Sequence, residues 1–126
     1  MITFPFVGGE RGIEPEKIIY VQTDRRLNVF HVSEGEKEVQ YRLYKKLDEI
    51  EGTLLPYAFV RCHRSYLINL RYMAKVSNYL LTLKTGETFT IPRARYKWVK
   101  EQYVSWKNVD DTTRSFQESG AALNDR

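Results

Sequence analysis

A mainly antiparallel β fold with two short helices is the expectation for this chain of 126 residues, and three features of the sequence carry it. Segments rich in β-branched and aromatic residues recur from Ile18 onward, separated by short polar turns. Helical periodicity surfaces in only two places, before Gly52 and after Pro92. A hydrophobic share of 42% and an aromatic share of 13% suit one folded domain with a modest core.

Residues 18–23 and 27–32 read as two strands around Asp24-Arg25-Arg26. That tripeptide can form a hairpin tip, although it lacks the Gly or Asn that tight primed turns favour. Glu34-Gly35-Glu36 is the next turn signal. Val39, Leu43, Leu47 and Ile50 then fall at i, i+4, i+8 and i+11, which predicts one helical face with Gly52 as its stop. Pro56 separates this helix from a strand at 57–61. Strands around 73–76 and 80–83 precede a Thr85-Gly86 turn, and Pro92 fixes the entry into a last helix with Tyr96, Val99 and Tyr103 on one side.

Charge divides the chain near Trp106. Residues 1–105 hold 17 basic and 12 acidic side chains, whereas residues 106–126 hold 3 and 4. The expectation is a domain over 1–105 and a polar, flexible C-terminal extension over 106–126. Within the domain the positive charge is concentrated: Arg61 to Lys97 contains eight Lys or Arg against one acid, Glu87. Such a field suits a polyanionic partner, because each neutralised phosphate releases condensed counterions.

The same stretch resembles the LytTR family of bacterial DNA-binding domains. The resemblance rests on His63-Arg-Ser-Tyr-Leu-Ile-Asn-Leu70 preceded by an Arg, on the two strands and Thr-Gly turn that follow, and on Ile91-Pro-Arg93 before a basic, aromatic helix. Upstream, Ile18-Ile19-Tyr20-Val21-Gln22 looks like the family's opening strand, and Leu43, Leu47 and Ile50 look like its internal helix. The likeness spans roughly residues 2–105. It implies a LytTR-like β fold whose loops enter successive major grooves of double-stranded DNA. It further implies paired direct repeats near promoters, with a second copy of the chain on the same site. Family members usually carry this domain as the output domain of a response regulator, behind a receiver. The length of 126 residues leaves no room for a receiver, so an excised domain or a stand-alone regulator is expected.

Arg64 is the first candidate for DNA contact, since a loop Arg can present its fork to guanine O6 and N7. Arg93 is the second: it opens the last helix, where a cation opposes the macrodipole unless an anion compensates it. Arg95 and Lys97 are placed on phosphates. Arg25 and Arg26 correspond to another DNA-contacting loop of the family and are carried as a pair. Lys45, Lys46, Arg71, Lys75 and Lys84 are weaker phosphate candidates. His63 and Asn69 are given structural roles, satisfying backbone groups where the chain turns.

Cys62 is the candidate for redox sensitivity. Adjacent residues on a strand point to opposite faces, so Cys62 and His63 do not make a catalytic pair. A single cysteine excludes an internal disulfide, leaving mixed disulfides or sulfenylation. Two histidines and one cysteine offer no metal-ligand cluster, and Gly8-Gly9 begins no phosphate-loop pattern. No enzyme activity, cofactor, metal or small-molecule substrate is expected. No apolar run approaches the roughly 18 residues of a membrane span, and the expected location is the cytoplasm. Two other readings stand beside DNA binding: an RNA-binding module using the same basic face, and a protein-interaction module for an acidic partner.

Overall fold

A computed structural model describes the backbone of residues 1–119 and the side chains of residues 1–109. Ten strands and two α-helices are present among them. The centre is a five-stranded antiparallel sheet in the order β5-β4-β3-β7-β6, comprising Lys37–Leu43, Leu27–Glu34, Ile18–Asp24, Tyr66–Asn69 and Phe59–His63. Both faces of this sheet are covered. That explains why β3 opens on four consecutive buried residues, Ile18 to Val21, instead of alternating with solvent.

On one face Val21, Phe30, Val32, Leu43, Phe59 and Leu67 pack under the hairpin of β1 (Ile2–Phe6) and β2 (Gly9–Ile13), and against helix α1 (Leu47–Leu54). On the other, Tyr20, Val60, Cys62 and Ile68 meet a three-stranded sheet and helix α2 (Arg93–Ser119). That sheet has the order β10-β9-β8, comprising Thr88–Thr90, Leu80–Leu83 and Met73–Ser77. A register shift between Ile18 and Tyr20 lets Ile19 and Tyr20 both serve the second core. Tyr103 ties α2 down by donating its hydroxyl to the Ala74 carbonyl at 3.1 Å.

The mainly antiparallel β architecture stands as expected, with four differences in detail. The segment from Val39 to Leu43 is strand rather than helix. Its outer positions are four residues apart, a spacing that also equals two strand periods, and half-buried Tyr41 between them fits only the strand. Gly52 lies inside α1, which ends at Leu54. The stop is the following 3-10 turn with Pro56 in it and Ala58 left-handed at φ 67°. The β1–β2 hairpin precedes the strand at Ile18, so that strand is not the first. The second helix runs 27 residues, past Trp106 to Ser119. No Gly or Pro interrupts the chain between Pro92 and Gly120, so nothing in the backbone stops the helix at 106. Residues 120–126 of the polar extension lie outside the described residues.

Candidate nucleic-acid interface

Antiparallel register gathers three connections at one end of the central sheet. Asp24 closes the β3–β4 hairpin against Leu27, Asn28 pairs with Leu43 at the end of β5, and Gln22 pairs with Tyr66 at the start of β7. The Arg25-Arg26 tip, the Tyr44–Lys46 linker and the Arg64-Ser65 tip therefore emerge side by side. They line a single cleft of about 420 Å3 with Arg25, Arg26, Lys45, Lys46 and Arg64 on its walls. All five cations are exposed. No salt bridge among the described residues involves any of them.

Short polar side chains tie the three connections together. Asn28 is buried, accepts from the Thr23 hydroxyl at 2.8 Å and donates its amide to the Lys45 carbonyl. The Thr23 N–H donates to the Ser65 carbonyl at 2.9 Å, joining the first hairpin to the second. His63 Nδ1 accepts the Ser65 N–H at 3.1 Å, which places the ring proton on Nε2 and gives His63 its expected structural role. Asn69, fully buried, accepts the Arg71 N–H and donates to the Ile18 carbonyl at 2.9 Å, again as expected. Arg25 occupies the left-handed region at φ 62°. A tip of two arginines there gives up the conformational ease of Gly or Asn, the kind of local cost that concentrates at working surfaces.

The C-terminal arginines sit elsewhere. None of Arg93, Arg95 and Lys97 lines the cleft. Arg93 is exposed at the start of α2, with its guanidinium carbon 5.3 Å from the Tyr79 ring centroid. Arg95 is half-buried: it stacks over Trp98 and donates Nε and Nη2 to the Arg61 carbonyl at 3.0 and 2.8 Å. Lys97 is exposed one turn beyond Arg93. Of the weaker candidates, Arg71 is bound to the Tyr57 carbonyl at 2.9 Å, while Lys75 and Lys84 are exposed.

A profile of the LytTr DNA-binding domain matches residues 11–103, about three-quarters of the chain. The chain belongs to the LytTr DNA-binding domain family. It is thus a DNA-binding domain of the kind that serves transcription regulation, and the family is not one of enzymes. Among solved structures, the LytTr domain of a protein from Bacillus cereus, described as a methyl-accepting/DNA response regulator, shares the fold. It superposes with a TM-score of 0.65 at 19% identity, covering 80% of this chain and 94% of its own. No curated protein matches the chain significantly. No helix among the described residues is long and apolar enough to cross a membrane.

Two residues that shape the LytTr cleft escape a reading of sequence alone. Asn28 gives a weak signal, an amide side chain inside a strand that otherwise favours β-branched residues. Arg61 gives none, because it looks like one more member of a basic run. Cys62, for its part, lies fully buried in the core beneath α2, and burial pushes its thiol up to about 12. Thiolate formation and access, the two requirements of oxidation, are both opposed by that position. Labelling of Cys62 by an alkylating reagent at pH 8 is expected only on the timescale of unfolding, and an immediate reaction in native buffer would contradict the packing.

The same burial makes stability sensitive to alkali. Cys62 and, through burial and then Glu87, the Tyr20 hydroxyl both have folded values above their ordinary ones. The folded chain therefore keeps protons that the unfolded chain releases. The Cys62 share is complete below about pH 9, the ordinary thiol value, and fades as pH rises toward 12. The Tyr20 share is complete below about pH 10 and fades at higher pH still.

Proposed function

We propose that the protein is a sequence-specific double-stranded DNA-binding module of bacterial transcription regulation, acting in the cytoplasm through its loop arginines. Arg25, Arg26 and Arg64 enter one major groove from the cleft end of the sheet, and Arg93 at the start of α2 enters a successive one. Lys45, Lys46 and Lys97 neutralise flanking phosphates. Arg95 holds the first turn of α2 in place and offers its remaining charge to the backbone. Residues 1–105 form the binding unit and residues 106–126 an extension to it. The operator is a pair of direct repeats near a promoter, each bound by one copy.

The observation that carries this reading is the convergence of five exposed cations, none in a salt bridge among the described residues, on three hairpin and linker connections at one end of the central sheet. The major groove is about 12 Å wide and presents a distinct donor and acceptor pattern for every base pair, which loop arginines can read. A-form RNA hides that groove, so the same loops have no comparable purchase on duplex RNA.

Selection from a randomised duplex pool at ~150 mM salt tests the proposal. The expected result is enrichment of a short motif repeated in tandem, preferred over scrambled DNA by at least ~10³-fold. Equal, salt-sensitive binding to every duplex would remove the sequence-reading role and leave only a basic surface. Preferential capture of single-stranded RNA in competition would replace it with the RNA-binding reading.

A further inference from the structure

Arg61 is a basic residue whose charge is spent inside the protein, on two carboxylates and two backbone carbonyls. Its side chain, on β6, lines the cleft but is only 13% exposed. Nη1 meets two carboxylates of α1, Asp48 at 2.9 Å and Glu51 at 2.7 Å. Nη2 donates to the Arg64 carbonyl at 2.6 Å and Nε to the His63 carbonyl at 3.1 Å. One planar guanidinium thus clamps both backbone oxygens of the turn from which Arg64 projects, and is itself fixed by the helix behind it. The Arg61 carbonyl, on the outer edge of β6, accepts both hydrogen bonds from Arg95 at the head of α2.

We propose that Arg61 is a positioning residue: anchored by Asp48 and Glu51, it holds the His63-Arg64 turn in the pose from which Arg64 reads DNA. This rests on the reading of Arg64 as a base-contacting residue. A planar fork can serve four acceptors in one plane, whereas an ammonium group of equal charge on a flexible stem cannot reproduce that geometry. Preorganisation of a contacting side chain acts on the matched complex, where orientation counts. Non-specific binding responds to net charge and is indifferent to orientation.

The proposal separates from a charge effect in sign. Asp48 lines the cleft, so replacing Asp48 and Glu51 removes negative charge beside the DNA. On electrostatics alone, Asp48→Ala/Glu51→Ala should tighten binding to matched and scrambled duplexes alike. If the two acids anchor Arg61, the variant should bind scrambled DNA more tightly while its preference for the matched site falls at least tenfold. Arg61→Lys, which conserves charge, should lower the same preference at least tenfold and leave scrambled-duplex affinity and its salt slope unchanged.

In the Arg64→Ala background, Arg61→Lys should bring no further loss of preference, because Arg61 acts through Arg64. Cooperative urea unfolding of each variant verifies the fold. Should Arg61→Lys fail to fold, the acid pair variant, whose changes lie on α1, decides alone. The positioning role is overturned if Arg64→Ala loses the preference while Arg61→Lys and the acid pair variant keep it within twofold. It is overturned together with the role of Arg64 if Arg64→Ala also keeps the preference.

Discussion

Replacing Arg64 and Arg93 together with alanine should weaken the preferred duplex by about 2–6 kcal/mol, the sum of about 1–3 kcal/mol for each base-reading arginine. Additivity is expected because the two sit on separate structures, one on the β6–β7 turn and the other against Tyr79 at the head of α2. At ~1.4 kcal/mol per factor of ten, even the lower figure removes more than an order of magnitude of affinity. Competition titration against scrambled DNA should show the preference collapsing while residual, salt-sensitive binding survives. Lys84→Ala supplies the contrast, since an exposed strand-end cation should weaken every sequence alike.

Stability should hardly move in the double variant, which keeps the result interpretable. The Arg64 side chain is exposed and makes no salt bridge among the described residues, and its contribution to the turn is a backbone carbonyl that alanine retains. Arg93 opposes the α2 macrodipole at a cost of a few tenths of a kcal/mol, partly offset by its contact with Tyr79. Unchanged preference in the double variant would show the readout residues to be misassigned, even with DNA binding intact.

The contrast between Arg64 and Arg61 marks how far the sequence speaks for itself. Arg64 is legible because it lies at a polar turn between two apolar strands, inside an eight-residue block that resembles a known family. Arg61, three residues earlier, acquires its role from Asp48 and Glu51, which lie 13 and 10 residues away in sequence. Arg95 acquires its role from a carbonyl 34 residues away. Side chains of one charge look equivalent in a string, and only the fold decides which face solvent and which are consumed by carbonyls. The strands show the same limit at shorter range. Leu80 to Leu83 is plain from composition, whereas Val39 and Leu43 satisfy helix and strand periods at once until pairing with Val32 and Asn28 decides. The β1–β2 hairpin turns at Val7-Gly8, with Gly9 opening β2 opposite Phe6, a signal better read as a hairpin than as a failed phosphate loop.

Phe30→Ala should be the most destabilising single change, costing about 3–5 kcal/mol of unfolding free energy. Phe30 is fully buried on β4 at the centre of the core beneath that hairpin. Its ring centroid lies 5.0 Å from Phe4 and 5.1 Å from Phe6, and Phe6 in turn stacks on Tyr41 at 5.1 Å. At the hairpin tip the Val7 N–H donates to the Arg42 carbonyl at 2.8 Å. Much of the hairpin's buried contact with the sheet is aromatic packing around Phe30. Set against a typical total of about 5–15 kcal/mol, the loss is a large fraction of the fold, and the melting temperature should fall by about 10–20 °C. Phe30→Leu, which keeps most of the volume, should cost well under half as much. A urea titration showing Phe30→Ala within about 1 kcal/mol of the parent would mean that the hairpin does not rest on the sheet, because no buried ring can be removed from a close-packed layer so cheaply.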